Sequence, residues 1–165
     1  GLGPTVTETL FGDDTEADAL IYALYAHALA GRVEDSHVAR VMAAMDTPAE
    51  TIDGTLSALR ATNNGDVVEH VFIRIHRGLP INCYSKLGRN VIPVFSWFQA
   101  ALVLFTAERL NAEGLQKTME ACFSSQKIVD DKIVWLLQDV VRRRVLNAQH
   151  LDKALSDLPK LRALE

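Results

Sequence analysis

The sequence predicts an all-α protein, a bundle of about eight helices around one central apolar helix. Three observations carry that expectation. No charge falls between Arg89 and Glu108, so a long stretch of chain has to be desolvated on most sides. The flanking segments place their apolar residues three and four apart, the spacing of a helix face. Gly31, Pro48, Asn64, Pro80 and Asn111 fall between those segments, where helices have to end.

Composition sets the outer bounds. With 165 residues, 48% hydrophobic and 23% charged, the chain reads as one globular domain, and disorder is not the default. A net charge of -4 argues against a protein that lives on nucleic acid, and Arg142, Arg143 and Arg144 read as a solvated helix face. Cys83 and Cys122 have no metal-ligand spacing and suit free thiols in a reducing compartment, with a single bridge between them left open. The start lacks a basic region followed by an apolar stretch, and the end is too short and charged for an anchor. The expectation is a soluble protein or one whose tail has been removed.

The elements follow in order. Residues 5–12 read as a short lead, and Asp13, Asp14, Thr15 and Glu16 supply a cap and an acidic first turn for a helix ending near Ala30. Leu20, Ile21, Leu24, Tyr25, Ala28 and Leu29 form its stripe. A second helix starts near Asp35 with Val38, Val41, Met42 and Met45, and Pro48 ends it. A third places Ile52, Leu56 and Leu59 inward until Asn63, Asn64 and Gly65, where a hairpin is the alternative reading. Val67, Val68, Val71, Phe72 and Ile75 suggest a fourth helix from Asp66 to Gly78, with a strand as the competitor because so many are β-branched. The central helix is expected over 90–107, and its length and lack of charge also suit a membrane span. Leu115, Met119, Cys122 and Phe123 begin a sixth helix. Ile128, Ile133, Val134, Trp135, Leu136 and Val140 mark a seventh segment, with continuity with the sixth as the alternative. Asn147 caps a last one with Leu151, Ala154, Leu155 and Leu158.

Chemistry is hard to find. No glycine pair surrounds a serine, no phosphate loop is present, and His27, His37, His70, His76 and His150 form no ligand motif, so neither a cofactor nor a metal is expected. Asp130 and Asp131 read as a helix start. The position that stands out is Gly88 followed by Arg89 at the mouth of the most apolar stretch, where a guanidinium could receive a carboxylate at the rim of a groove or simply close a surface loop.

Taken together, these residues resemble the Bcl-2 family of apoptosis regulators. Lys86-Leu87-Gly88-Arg89 followed by Val91, Val94, Phe95 and Phe98 is similar to that family's first homology motif. Residues 71–75 resemble the fourth helix of Bax-like members, 133–139 the second homology motif, and Asp14 to His27 the first helix of Bak. Val38, Val41, Met45 and Asp46 look like the chain's own death-motif (BH3) segment, with Met45 where the family has glycine. The resemblance implies a Bcl-2-like bundle and a non-enzymatic regulator of apoptosis. It would be either a pro-survival protein or a Bak-like effector, binding BH3-type helices or other family members, with no nucleic acid partner. Arg89, Gly88, Val71, Phe72, Ile75, Val91, Val94 and Phe95 would form the partner-binding groove. A place on the cytoplasmic side, at the mitochondrial outer membrane if an anchor has been removed, follows from the same resemblance. An unrelated all-α interaction adaptor is the alternative.

Overall fold

The structure, a computed structural model, describes residues 6–62, 65–76, 80–126 and 130–157. The chain is mostly helical and carries a small three-stranded parallel sheet, so the all-α expectation needs correcting. The order is β1 (Glu8–Asp13), α1 (Asp18–Leu29), α2 (Asp35–Ala44), α3 (Ala49–Ala61), β2 (Val68–Arg74), a short 3-10 helix (Ile81–Lys86), β3 (Val91–Val94), α4 (Trp97–Thr106), α5 (Ala112–Gln126), α6 (Asp130–Arg142) and α7 (Ala148–Asp157). The chain divides into two compact units, 1–73 with 77–93 and 74–76 with 94–165.

The first unit holds α1 to α3 and most of the sheet, whose strand order is β1-β2-β3. The stretch expected as a short lead holds most of β1, which runs on to Asp13, and its Glu8 N–H donates to Val67 O at 2.8 Å. Residues 67–75, expected as a helix, contain β2. A central strand is covered on both faces and reads as a nearly continuous apolar run, which over so few residues is easily taken for a helix. Val71, Phe72 and Ile73 are all fully buried, a run that no single helix face would produce. Val71 N–H donates to Asn90 O at 2.8 Å, beginning the parallel pairing with β3. The expected breaks at Asn63, Asn64, Gly78 and Leu79 lie outside the described residues, as do Ile128 and Leu158.

The expected 90–107 helix is a strand, a turn and a shorter helix. Val91, Ile92 and Val94 are β-branched, and Pro93 would remove a helical hydrogen bond and press the residue before it into extended backbone. Ser96 then caps α4 by accepting the Phe98 N–H at 3.2 Å. No helix among the described residues is long and apolar enough to cross a membrane.

In the second unit α4 packs against α5, α6 and α7. Gln99 is fully buried and ties these parts together: its Oε1 accepts the Phe95 N–H at 2.7 Å, and its Nε2 donates to Leu136 O at 2.9 Å and to Asp139 Oδ2 at 3.1 Å. Asp139, 1% exposed, is held further by Arg142 at 2.8 Å and Arg143 at 2.6 Å. Phe98 meets Phe123 edge-on at 5.8 Å. Asn147 caps α7 as expected, accepting the His150 N–H at 2.8 Å.

Helices α2, α4 and α6 share one kind of ending. Asp46, Glu108 and Arg144 sit at φ 57°, 59° and 58°, and the next residue's N–H reaches back five residues, as Arg109 does to Leu104 O at 2.8 Å. Glycine is the usual occupant of that position because it has no Cβ to crowd the carbonyl.

Gln99→Ala is expected to cost on the order of 3 kcal/mol in denaturant unfolding, because it leaves the Phe95 N–H unpaired, Asp139 short of a donor and a cavity in the core. Glu108→Gly is expected to gain about 1 kcal/mol by relieving the left-handed residue. A lower unfolding midpoint for Glu108→Gly would show that its side chain does more than end the helix.

Candidate functional site

Arg89 and Gly88 lie on the loop between the 3-10 helix and β3. Gly88 has φ 145°, and a Cβ there would meet Asn90 Oδ1 at 2.9 Å and the His27 ring at 3.4 Å. His27 Nε2 donates to Leu87 O at 2.9 Å, so this glycine lets the loop close against α1. Arg89 is exposed and has no hydrogen-bond or ion partner among the described residues. It lines a polar hollow of about 280 Å³ with Thr7, Arg32, Asp66, Val68, Glu69 and Asn90. There Arg32 pairs with Asp66, Thr7 Oγ1 donates to Glu69 at 3.1 Å, and Asn90 Nδ2 donates to Val68 O at 3.2 Å. Arg32 and Asp66 are 44% and 59% exposed, so their pairing contributes little to stability.

The other expected groove residues are not a groove. Val71 and Phe72 are fully buried in β2, and Val91 is 5% exposed in β3, where each serves as sheet core. In the second unit Val94 is fully buried in β3 and accepts the Ile75 N–H at 2.8 Å. Phe95, half-buried, packs on Trp135 at 5.0 Å and under the Arg143 guanidinium at 5.7 Å. For Val71 and Phe72 the physical reason is the strand itself, because β2 is the central strand and buries both of its faces.

The expected death-motif segment is also divided. Val38 is buried on α2 and Val41 half-buried, but the helix ends at Ala44. Met45 is its C-cap, and Asp46 follows in left-handed backbone, so the four residues do not form one helical stripe.

An apolar groove lies elsewhere in the first unit, between α1, α2 and α3. It encloses about 280 Å³ and is lined by Ile21, Leu24, Tyr25 and Ala28 of α1, with Val38, Met42, Met45 and Leu59 among the facing residues. No residue of its lining is charged. Ile21 is 42%, Tyr25 37% and Met45 42% exposed. Helix α1 can supply this lining because it has two apolar faces. Ala23, Ala26 and Leu29, three apart, are buried, while Ile21, Leu24, Tyr25 and Ala28 turn to the groove. The signal was present in the sequence: no charge occurs between Asp18 and Arg32, more apolar surface than one buried face requires.

Tyr25 Oη donates to Glu8 Oε2 at 2.9 Å, which places a carboxylate at the groove. Burial, and then Glu8, raise the Tyr25 phenol above its ordinary value, so it remains a donor at neutral pH. Among the described residues no group of three or more His, Cys, Asp or Glu could hold a metal, and both cysteines are free thiols. Comparison with protein-family models, with curated proteins and with solved structures finds no match.

Gly88→Ala is expected to destabilise the chain by about 1–2 kcal/mol, through its left-handed backbone and the contact with Asn90. Arg89→Ala should change stability by less than about 0.5 kcal/mol. A large loss of melting temperature in Arg89→Ala would make that arginine an internal partner after all.

Proposed function

We propose that this chain is a non-enzymatic interaction module that seats an amphipathic helix of a partner protein in the groove of α1, α2 and α3. The observation that carries this reading is an uncharged, concave lining in which Ile21, Tyr25 and Met45 are each more than one-third exposed. Isolated exposed apolar residues need no explanation, but several gathered in one hollow mark a binding surface. The α1 lining from Ile21 to Ala28 spans two turns, roughly 10 Å at a helical rise. That length suits the i, i+4 and i+7 anchors of an incoming helix. Met42 and Met45 add unbranched, adaptable side chains that fit partners of differing shape.

The narrower reading, a regulator of apoptosis that takes BH3-type helices at the mitochondrial outer membrane, is supported by the order of segments that resemble the Bcl-2 family. Two of those segments contain strands, which removes the floor implied by the resemblance. If death-motif helices bind, the seat favoured here is the α1–α3 groove.

A panel of labelled amphipathic helices, death-motif peptides included, tests the proposal by fluorescence anisotropy. A helical peptide should bind, and the same peptide broken by a central proline should not. Ile21→Lys should weaken capture by tenfold or more, since about 1.5–3 kcal/mol of apolar burial is replaced by a desolvated charge. Unchanged binding by a correctly folded Ile21→Lys variant would remove the groove from the function.

A further inference from the structure

We infer that the helix this groove accepts is basic on its polar face, an inference that rests on the interaction reading above. The first unit carries twelve Asp and Glu against six Lys and Arg, a net charge of -6, whereas the second unit is net positive. The imbalance is sharper where the groove forms. Residues 6–62 hold ten carboxylates and only Arg32, Arg40 and Arg60.

None of those three arginines serves the groove. Arg32 pairs with Asp66 and Arg60 with Asp35. Arg40 donates to His37 Nδ1 at 2.8 Å, and it lies two residues beyond Val38, about 200° around the helix from that lining residue. One carboxylate is bonded to the lining and a second is its neighbour in sequence. Glu8 receives the hydroxyl of Tyr25, and exposed Asp46 stands between the lining residues Met45 and Thr47. An uncharged floor with an acidic margin matches a helix that carries leucine-like anchors on one side and Lys or Arg on the other. The same charge repels an anionic lipid surface, which could otherwise satisfy the exposed apolar side chains.

The full chain is titrated against three labelled peptides of about 18 residues, long enough to form a helix on binding. The first is a Leu/Lys amphipathic helix, the second a Leu/Glu helix of the same pattern, and the third the Leu/Lys composition permuted so that its leucines share no face. The Leu/Lys helix should bind about tenfold or more tighter than either of the others. Its advantage should shrink as salt rises, because exposed charges are screened. The double variant Glu8→Gln, Asp46→Asn should lose about threefold to tenfold in Leu/Lys affinity and leave Leu/Glu binding no weaker. Asn tolerates the left-handed backbone at position 46, so this variant keeps its fold.

Equal binding of the Leu/Lys and Leu/Glu helices, abolished for both by Ile21→Lys, would overturn the basic preference and leave the interaction reading intact. Failure of every helix to bind would remove both. Binding of the permuted peptide as tightly as the amphipathic one would show plain charge attraction, and capture by phosphatidylserine vesicles would show a membrane surface. Either result overturns the inference.

Discussion

One buried amide holds the second unit together. Gln99 has no access to solvent, yet its oxygen and nitrogen both find partners, on the backbone where β3 gives way to α4 and on α6. An unpaired amide in such a place would cost more than a paired one contributes, so the surrounding elements are fixed by what this side chain has to reach. Asp139 extends the constraint. A carboxylate at 1% exposure has to be neutralised locally, and Arg142 and Arg143, about one turn further along the chain at the end of α6, do so. The basic run that looked like a solvated face is therefore partly internal. Arg143 lies with 11% of its side chain exposed while Arg142 stays in solvent at 71%.

Six helices were legible in the sequence because their apolar spacing and their end signals agreed. The helices at 18–29, 35–44, 49–61, 112–126, 130–142 and 148–157 fall where the pattern put them. The sheet was not legible, and each miss has its own physical cause. At 67–75 a strand covered on both sides imitates a short buried helix, and the β-branched content was the better guide. At 91–94 the eighteen uncharged residues looked like one element, but they had only to be buried, and a strand followed by a helix buries them equally well. Pro93 was the local signal that should have divided the run. Of the candidate site, Arg89 was found as an exposed cation, whereas its supposed groove floor became core. The apolar groove went unrecognised because α1 was credited with one face when its sequence has enough apolar residues for two.

The order β1-β2-β3 leaves β3 at one edge of the sheet. Asn90 and Val94 offer their carbonyls to β2, so the intervening odd-numbered residues, Val91 and Pro93, direct their backbone the other way. An edge of this kind ordinarily invites a strand from another molecule to add on. Here the Val91 N–H is already taken by Gly88 O at 3.2 Å, and Pro93 has no N–H to give. The outer side of β3 thus offers no N–H at 91 or 93, and a second chain could not complete a ladder along it. The residue that breaks the expected helix also guards the sheet against aggregation.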